Sequence, residues 1–200
     1  MPSIIPDPGL PPAVEPITAP IETDEVSYTV DAGTVIYATD IIQVFNGWND
    51  TITVNGTVWL DSNNVYGWFF GGNRPTILNN GLIYLHAKNI AELSPKADYL
   101  VNTGSIYSIS DSGTARVINS DVLPVYVENS GLIAAQSLGI DETPGDPVYI
   151  DTWQAITIDA NGWLQLINHE GGQILAEARQ LAIAVSGPGR DPTFGTNLVS

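Results

Sequence analysis

Asn79-Asn80-Gly81-Leu82-Ile83, Asn102-Thr103-Gly104-Ser105-Ile106 and Asn129-Ser130-Gly131-Leu132-Ile133 carry one pattern: a polar residue, glycine, any residue, then a branched aliphatic. Upstream, Asp31-Ala32-Gly33-Thr34-Val35 and Asn55-Gly56-Thr57-Val58 extend it, and the five glycines lie 23, 25, 23 and 27 residues apart. Weaker copies follow at Asn161-Gly162-Trp163-Leu164 and Gly171-Gly172-Gln173-Ile174, after a stretch, Asp141 to Pro147, that reads as a loop inserted into one coil. A period of this length made of strand and turn signals coils stacked on one another, which hairpin architectures do not predict.

The glycine is expected to take the positive φ of a sharp corner, with the preceding Asn or Asp bonding its own backbone. In the strand that follows, alternation places the second and fourth residues after glycine on the core side: Val35 and Tyr37, Val58 and Leu60, Ile83 and Leu85, Ile106 and Ser108, Ile133 and Ala135, Leu164 and Leu166, Ile174 and Ala176. Coils repeating at the strand spacing stack like on like, so Asn79, Asn102 and Asn129 are expected to form an amide ladder.

Other apolar runs complete each coil: 41–44, 65–69 and 117–118 after the glycine, and 52–54, 99–101, 125–127 and 156–158 before the next. The reading is an all-β, right-handed parallel β-helix with three short strands per coil and about six to seven coils. Residues 174–185 contain good helix formers, but the coil pattern runs into them and they are assigned to strands.

Two hundred residues with 44% apolar content suit one folded unit. Seven of the 14 prolines fall in the first twenty residues, which marks 1–24 as an extended tail or cap, 25–186 as the solenoid and 187–200 as a Gly/Pro linker or tail. Six Lys plus Arg against 22 Asp plus Glu, a net charge of −16, argue against nucleic acid and anionic membranes as partners. Without cysteine there are no disulfides and no sulfur-ligated metal. The amino terminus shows neither a signal peptide's charged and apolar regions nor a membrane span, so no membrane insertion is expected.

The Asn-x-Gly-x-Ile copies, with Gly171-Gly172-Gln173-Ile174-Leu175-Ala176 and Leu181 to Gly187, resemble the β-helical repeats of secreted bacterial proteins. These include passenger regions of autotransporter adhesins and amino-terminal parts of RTX-type calcium-repeat exoproteins. The resemblance spans roughly residues 28–187 and implies an extracellular or cell-surface setting. Ser186 to Phe194 matches the RTX calcium nonapeptide only in part, with Ser at the first glycine and Thr at the apolar position.

Trp59, Tyr84 and Tyr107 occupy the third position after glycine in three consecutive coils and point outward, an aromatic row suited to stacking sugar rings. The plainer reading is a row covered by the Pro-rich tail or another subunit. Asp141, Glu142, Asp146 and Asp151 offer oxygen ligands for Ca²⁺ in the inserted loop, against the plainer reading of solvated acids; no other cofactor is implied. Arg116 reads as a surface partner of Asp111, and His86 and His169 as satisfied turn residues. No carboxylates recur on one face, and no phosphate loop, nucleophile elbow or zinc-protease motif is present.

The expectation is therefore a non-catalytic structural, adhesive or carbohydrate-binding surface module. Its partners would be polysaccharide or cell surface, and it would self-associate through solenoid ends or the aromatic face. A polysaccharide lyase or hydrolase and a phage tail fibre segment are the alternatives.

Overall fold

The computed structural model describes residues 3–23, 27–71, 74–93, 99–120, 125–139, 154–160, 164–178 and 180–186. After β1 (Ile21–Glu22), three strands recur in fixed order. The first coils hold β2 (Ser27–Val30), β3 (Val35–Thr39) and β4 (Gln43–Asn46), then β5 (Thr51–Val54), β6 (Thr57–Asp61) and β7 (Tyr66–Phe70). Next come β8 (Thr76–Asn79), β9 (Leu82–Ala87) and β10 (Ile90–Glu92), then β11 (Tyr99–Asn102), β12 (Ser105–Ser110) and β13 (Thr114–Ser120). The last are β14 (Val125–Asn129), β15 (Leu132–Ser137) and β16 (Gln154–Ala160), then β17 (Leu164–Asn168), β18 (Gln173–Glu177) and β19 (Leu181–Ser186).

Like strands stack in parallel into three sheets: sheet A from β3 to β18 and sheet C from β2 to β17, six strands each, and sheet B from β1 to β19, seven strands. The protein is a parallel β-solenoid, with about five turns carrying the chain through the six stacked strands of sheets A and C. Right-handed winding is the sense that twisted parallel strands favour when a chain returns to the same sheet.

One aliphatic core runs the length of the coils, with Ile52, Leu60, Ile77, Ile83, Leu85, Leu100, Ile106 and Ile118 fully buried. Each such side chain contributes about 1.5–3 kcal/mol through removal from water. Phe45 and Phe69 pack tilted against one another at 5.1 Å.

The corners work differently from the expectation. None of Gly56, Gly81, Gly104 and Gly131 has positive φ. Their lack of a side chain is required by close stacking instead. A Cβ on Gly81 would sit 2.0 Å from the Gly56 carbonyl oxygen, one on Gly104 2.1 Å from that of Gly81, and one on Gly131 2.0 Å from that of Gly104. Those carbonyls accept the hydrogen bonds that join successive coils, from Leu82 to Gly56, Ser105 to Gly81 and Leu132 to Gly104. Positive φ belongs to Gly33 and Gly171, at the corners that contain extra residues.

Beside the glycine stack runs the amide ladder, one member longer than expected. Asn79 donates to Asn102 at 2.7 Å, Asn102 to Asn129 at 2.8 Å and Asn129 to Asn168 at 2.8 Å. The first three are fully buried. Each amide also bonds its own corner, as Asn102 does through the carbonyl of Gly104. A second, outer ladder links Thr103 to Asn80 and Asn80 to Asn55.

Three strand assignments are corrected. Val35 pairs with Thr57 and Ile36 with Val58, so Ile36 and Ala38 face the core while Val35 and Tyr37 face outward. The extra corner residue after Gly33 shifts alternation by one. Leu164 and Leu166 lie on β17 of sheet C, paired with Val125 and Val127, rather than on the strand after a glycine corner. Residues 156–158 belong to β16 of sheet B, beside β13. The stretch 174–185 forms strands β18 and β19, as read from the sequence.

The first coil is covered. Ile17 forms a parallel bridge to Ala38 and its N–H donates to the Tyr37 carbonyl at 2.8 Å, while β1 pairs with β4. Ile17 and Ile21 pack on the core, forming a partial coil across that end. In the last coil Leu166, Ile174 and Val185 are only partly buried.

Candidate functional site

The outer face of sheet A gathers most of the unusual side chains. Register places Tyr37 beside Trp59, Trp59 beside Tyr84 and Tyr84 beside Tyr107, so the predicted aromatic row exists and gains Tyr37 at its head. The row ends in Ala134 and Leu175. Tyr37 was missed because its coil is shifted by one residue.

The row points away from the core but is not an open platform. Trp59 and Tyr107 are only 3% and 6% exposed. The Trp59 and Tyr84 rings stack at 3.9 Å with 19° between their planes, so one face of each is taken up by the other.

The amino-terminal segment lies across the row as a strap. Ser3 donates its hydroxyl to Glu177 at 2.6 Å, the Ile4 N–H donates to the same carboxylate at 3.0 Å, and Gln136 donates to the Ser3 hydroxyl. Ile5 is buried against Tyr107 and Ala134, with Tyr84, Leu132 and Leu175 around them. Asp7 lies close enough to Tyr84 and Tyr107 to act on both phenols. The strap thus runs from the last coil of sheet A to Ile17 beside the first.

Two residues along the strands from Trp59 and Tyr84 lie Asp61 and His86, and Asp111 reaches the same place from just beyond the end of β12. His86 Nδ1 lies 2.7 Å from Asp61 and its Nε2 2.9 Å from Asp111. Burial works against the imidazolium, but the hydrogen bonds and charges of Asp111 and Asp61 outweigh it and raise the His86 pKa to about 9. The His86 hydrogen bond is in turn the main reason Asp61 titrates below the usual carboxylate range. Tyr84 is pushed far up by burial and then by Asp61, Asp111 and Asp7. With both nitrogens engaged, His86 ties together two carboxylates from the neighbouring coils on either side of its own and has no lone pair to serve as a base at neutral pH. Its signal was in the sequence: Asp61, His86 and Asp111 are spaced by 25 residues, within the range of the coil period.

Arg116 is not paired with Asp111 as expected; it lies on sheet B against Glu92 at 3.3 Å, with Asp159 at 3.9 Å. Asp111 is instead drawn to His86. His169 meets Glu128 at 2.8 Å just beyond β17, and Glu128 also accepts from Tyr126 at 2.9 Å. Asp141, Glu142, Asp146 and Asp151 lie outside the described residues, as do positions 187–194 of the partial calcium nonapeptide. Among the described residues no three His, Asp or Glu side chains come together in a way that could hold a metal ion. No described helix is long and apolar enough to cross a membrane.

Comparison with known protein families, curated proteins and solved structures yields no match.

Proposed function

We propose that the chain is a non-catalytic β-solenoid module serving as a rigid structural or adhesive element at a cell surface or outside the cell. The observation that carries this reading is the state of the sheet A face: Trp59 and Tyr84 are stacked on each other, and Ile5 of the chain's own strap is buried against Tyr107 with Tyr84 beside it. Side chains that would bind sugar or perform chemistry on that face are committed to holding the structure together. His86, the histidine with the most perturbed surroundings, is clamped as a cation.

The adhesive form of this reading is favoured by a different surface. On sheet B, Tyr66 is 42% exposed and its ring is tilted at 42° to that of Trp68, 5.6 Å away, leaving ring faces unstacked. Such faces suit a saccharide or an apolar cell-surface group better than the Trp59 row does.

The test is a panel of acidic and neutral polysaccharides, with and without calcium, measuring binding and product release together. Absence of product supports the non-catalytic reading, and binding lost in Tyr66→Ala but kept in Trp59→Ala supports the adhesive form. New reducing ends or unsaturated products would overturn it in favour of a lyase or hydrolase.

A further inference from the structure

We infer that the outer face of sheet A is a recognition groove for an extended, proline-punctuated segment, and that it accepts the strap of a second copy of this chain as well as its own. The contact geometry shows what the groove reads. Glu177 receives a hydroxyl and a main-chain N–H from consecutive residues, Ser3 and Ile4. One branched apolar side chain, Ile5, fills the space over Tyr107 and Ala134, and Gln136 holds the Ser3 oxygen. The chain then leaves through Pro6 and Pro8, which suit an extended path with no strand hydrogen bonds. Ser-Ile-Ile-Pro is thus read as a short peptide ligand, by two main features: a hydrogen-bonded end and an apolar anchor.

The connection to the solenoid leaves room for exchange. Twelve residue steps separate Ile5 from Ile17, a reach of about 37 Å in polyproline-like conformation. The gap to be spanned, from the position beside β3 to the space between β12 and β15, is about four and a half strand spacings, roughly 22 Å. Within this stretch Leu10 is 90% exposed. A strap fixed at its tip by one buried side chain and a few hydrogen bonds, on a linker with slack, opens without disturbing any sheet. A neighbouring molecule's strap then makes the same contacts by symmetry of sequence. The linked strap has an effective concentration on the order of millimolar, so monomers dominate in dilute solution and exchange emerges where copies are crowded. This inference does not depend on the polysaccharide reading of the surface.

The experiment titrates a fluorescent peptide of residues 3–12 into the full chain and into Ile5→Asp, whose own strap cannot seat. Ile5 lies outside every sheet, so the variant should keep the circular dichroism and thermal midpoint of the solenoid; Ser3→Ala with Ile4→Pro releases the strap by a second route if it does not. The peptide should bind the released variant at least tenfold more tightly than the unaltered chain. Adding Glu177→Ala to the released variant should weaken that binding about tenfold, and a peptide carrying Ile5→Asp should not bind. Sedimentation of the unaltered chain near millimolar concentration should show association that Ile5→Asp removes. Equal affinity for both chains, no binding to the released variant, or association unchanged in Ile5→Asp would overturn the proposal.

Discussion

Glycine and asparagine carry the architecture at the scale of single residues, and the two kinds of corner glycine should respond differently to substitution. Gly33 has φ of 82° and open space where a Cβ would go, so Gly33→Asn, which tolerates the left-handed region, should cost less than about 1 kcal/mol. Gly104→Asn would drive a Cβ into the Gly81 carbonyl and should cost at least about 2–3 kcal/mol, read as a lower urea midpoint with unchanged slope. Asn102→Leu leaves Asn79 without its acceptor and Asn129 without its donor, a loss of about 3 kcal/mol or more by the same measurement. The ladder was legible because asparagines recurred at one position. Its fourth member was not, since two extra corner residues separate Asn168 from the glycine that aligns with Gly131. His86 gives a pH signature. Its folded pKa of about 9 exceeds the unfolded value near 6.5, so the stability it contributes is complete below about pH 6.5 and is lost as pH rises through 9. Buried as it is, the contribution is on the order of 2–3 kcal/mol, and thermal midpoints from pH 6 to 10 should fall in the unaltered chain and stay flatter in His86→Phe.

Strand by strand, alternation identified the core wherever the corner had its standard length. Ile83 and Leu85, Ile106 and Ser108, and Ile133 and Ala135 all face inward, and Ser108 is reconciled with the core by donating to the Ala91 carbonyl. It failed at β3, where one extra residue turns Tyr37 out and Ile36 in, because a period of two carries no memory of where a strand starts. It failed again at Leu164, whose apolar pattern fits either of two sheets; only pairing with Val125 decides between them. The reverse held for 174–185, where helix-forming composition lost to the stacking of β18 on β15. The strap was legible as an extended segment from its prolines, but its seat was not, because Glu177 and Gln136 lie more than 130 residues away in sequence.

Across the whole molecule, stability comes from stacking, since the chain has no disulfide to draw on. The two ends differ: a partial coil of Ile17 and β1 covers one, while Leu166, Ile174 and Val185 are half-buried at the other. Removing residues 1–24 should expose the strand edges of the covered end, and light scattering should report larger species than the full chain gives. Unchanged monomers would show that the segment does not protect that end. Charge acts at this scale too. A net charge of −16 keeps molecules apart at low ionic strength, so association of the truncated form should rise with added salt.

The aromatic face of sheet A is a closed surface rather than an open platform, and Trp59 reports on it directly. With Trp48, Trp68, Trp153 and Trp163 replaced by Phe, acrylamide quenching of the remaining indole measures its access to solvent. Blue-shifted emission and weak quenching are expected, with quenching that becomes stronger when Tyr84→Ala removes the ring stacked on Trp59. Quenching as efficient as for free tryptophan without that substitution would contradict a closed face, returning the row to an open surface available to ligands.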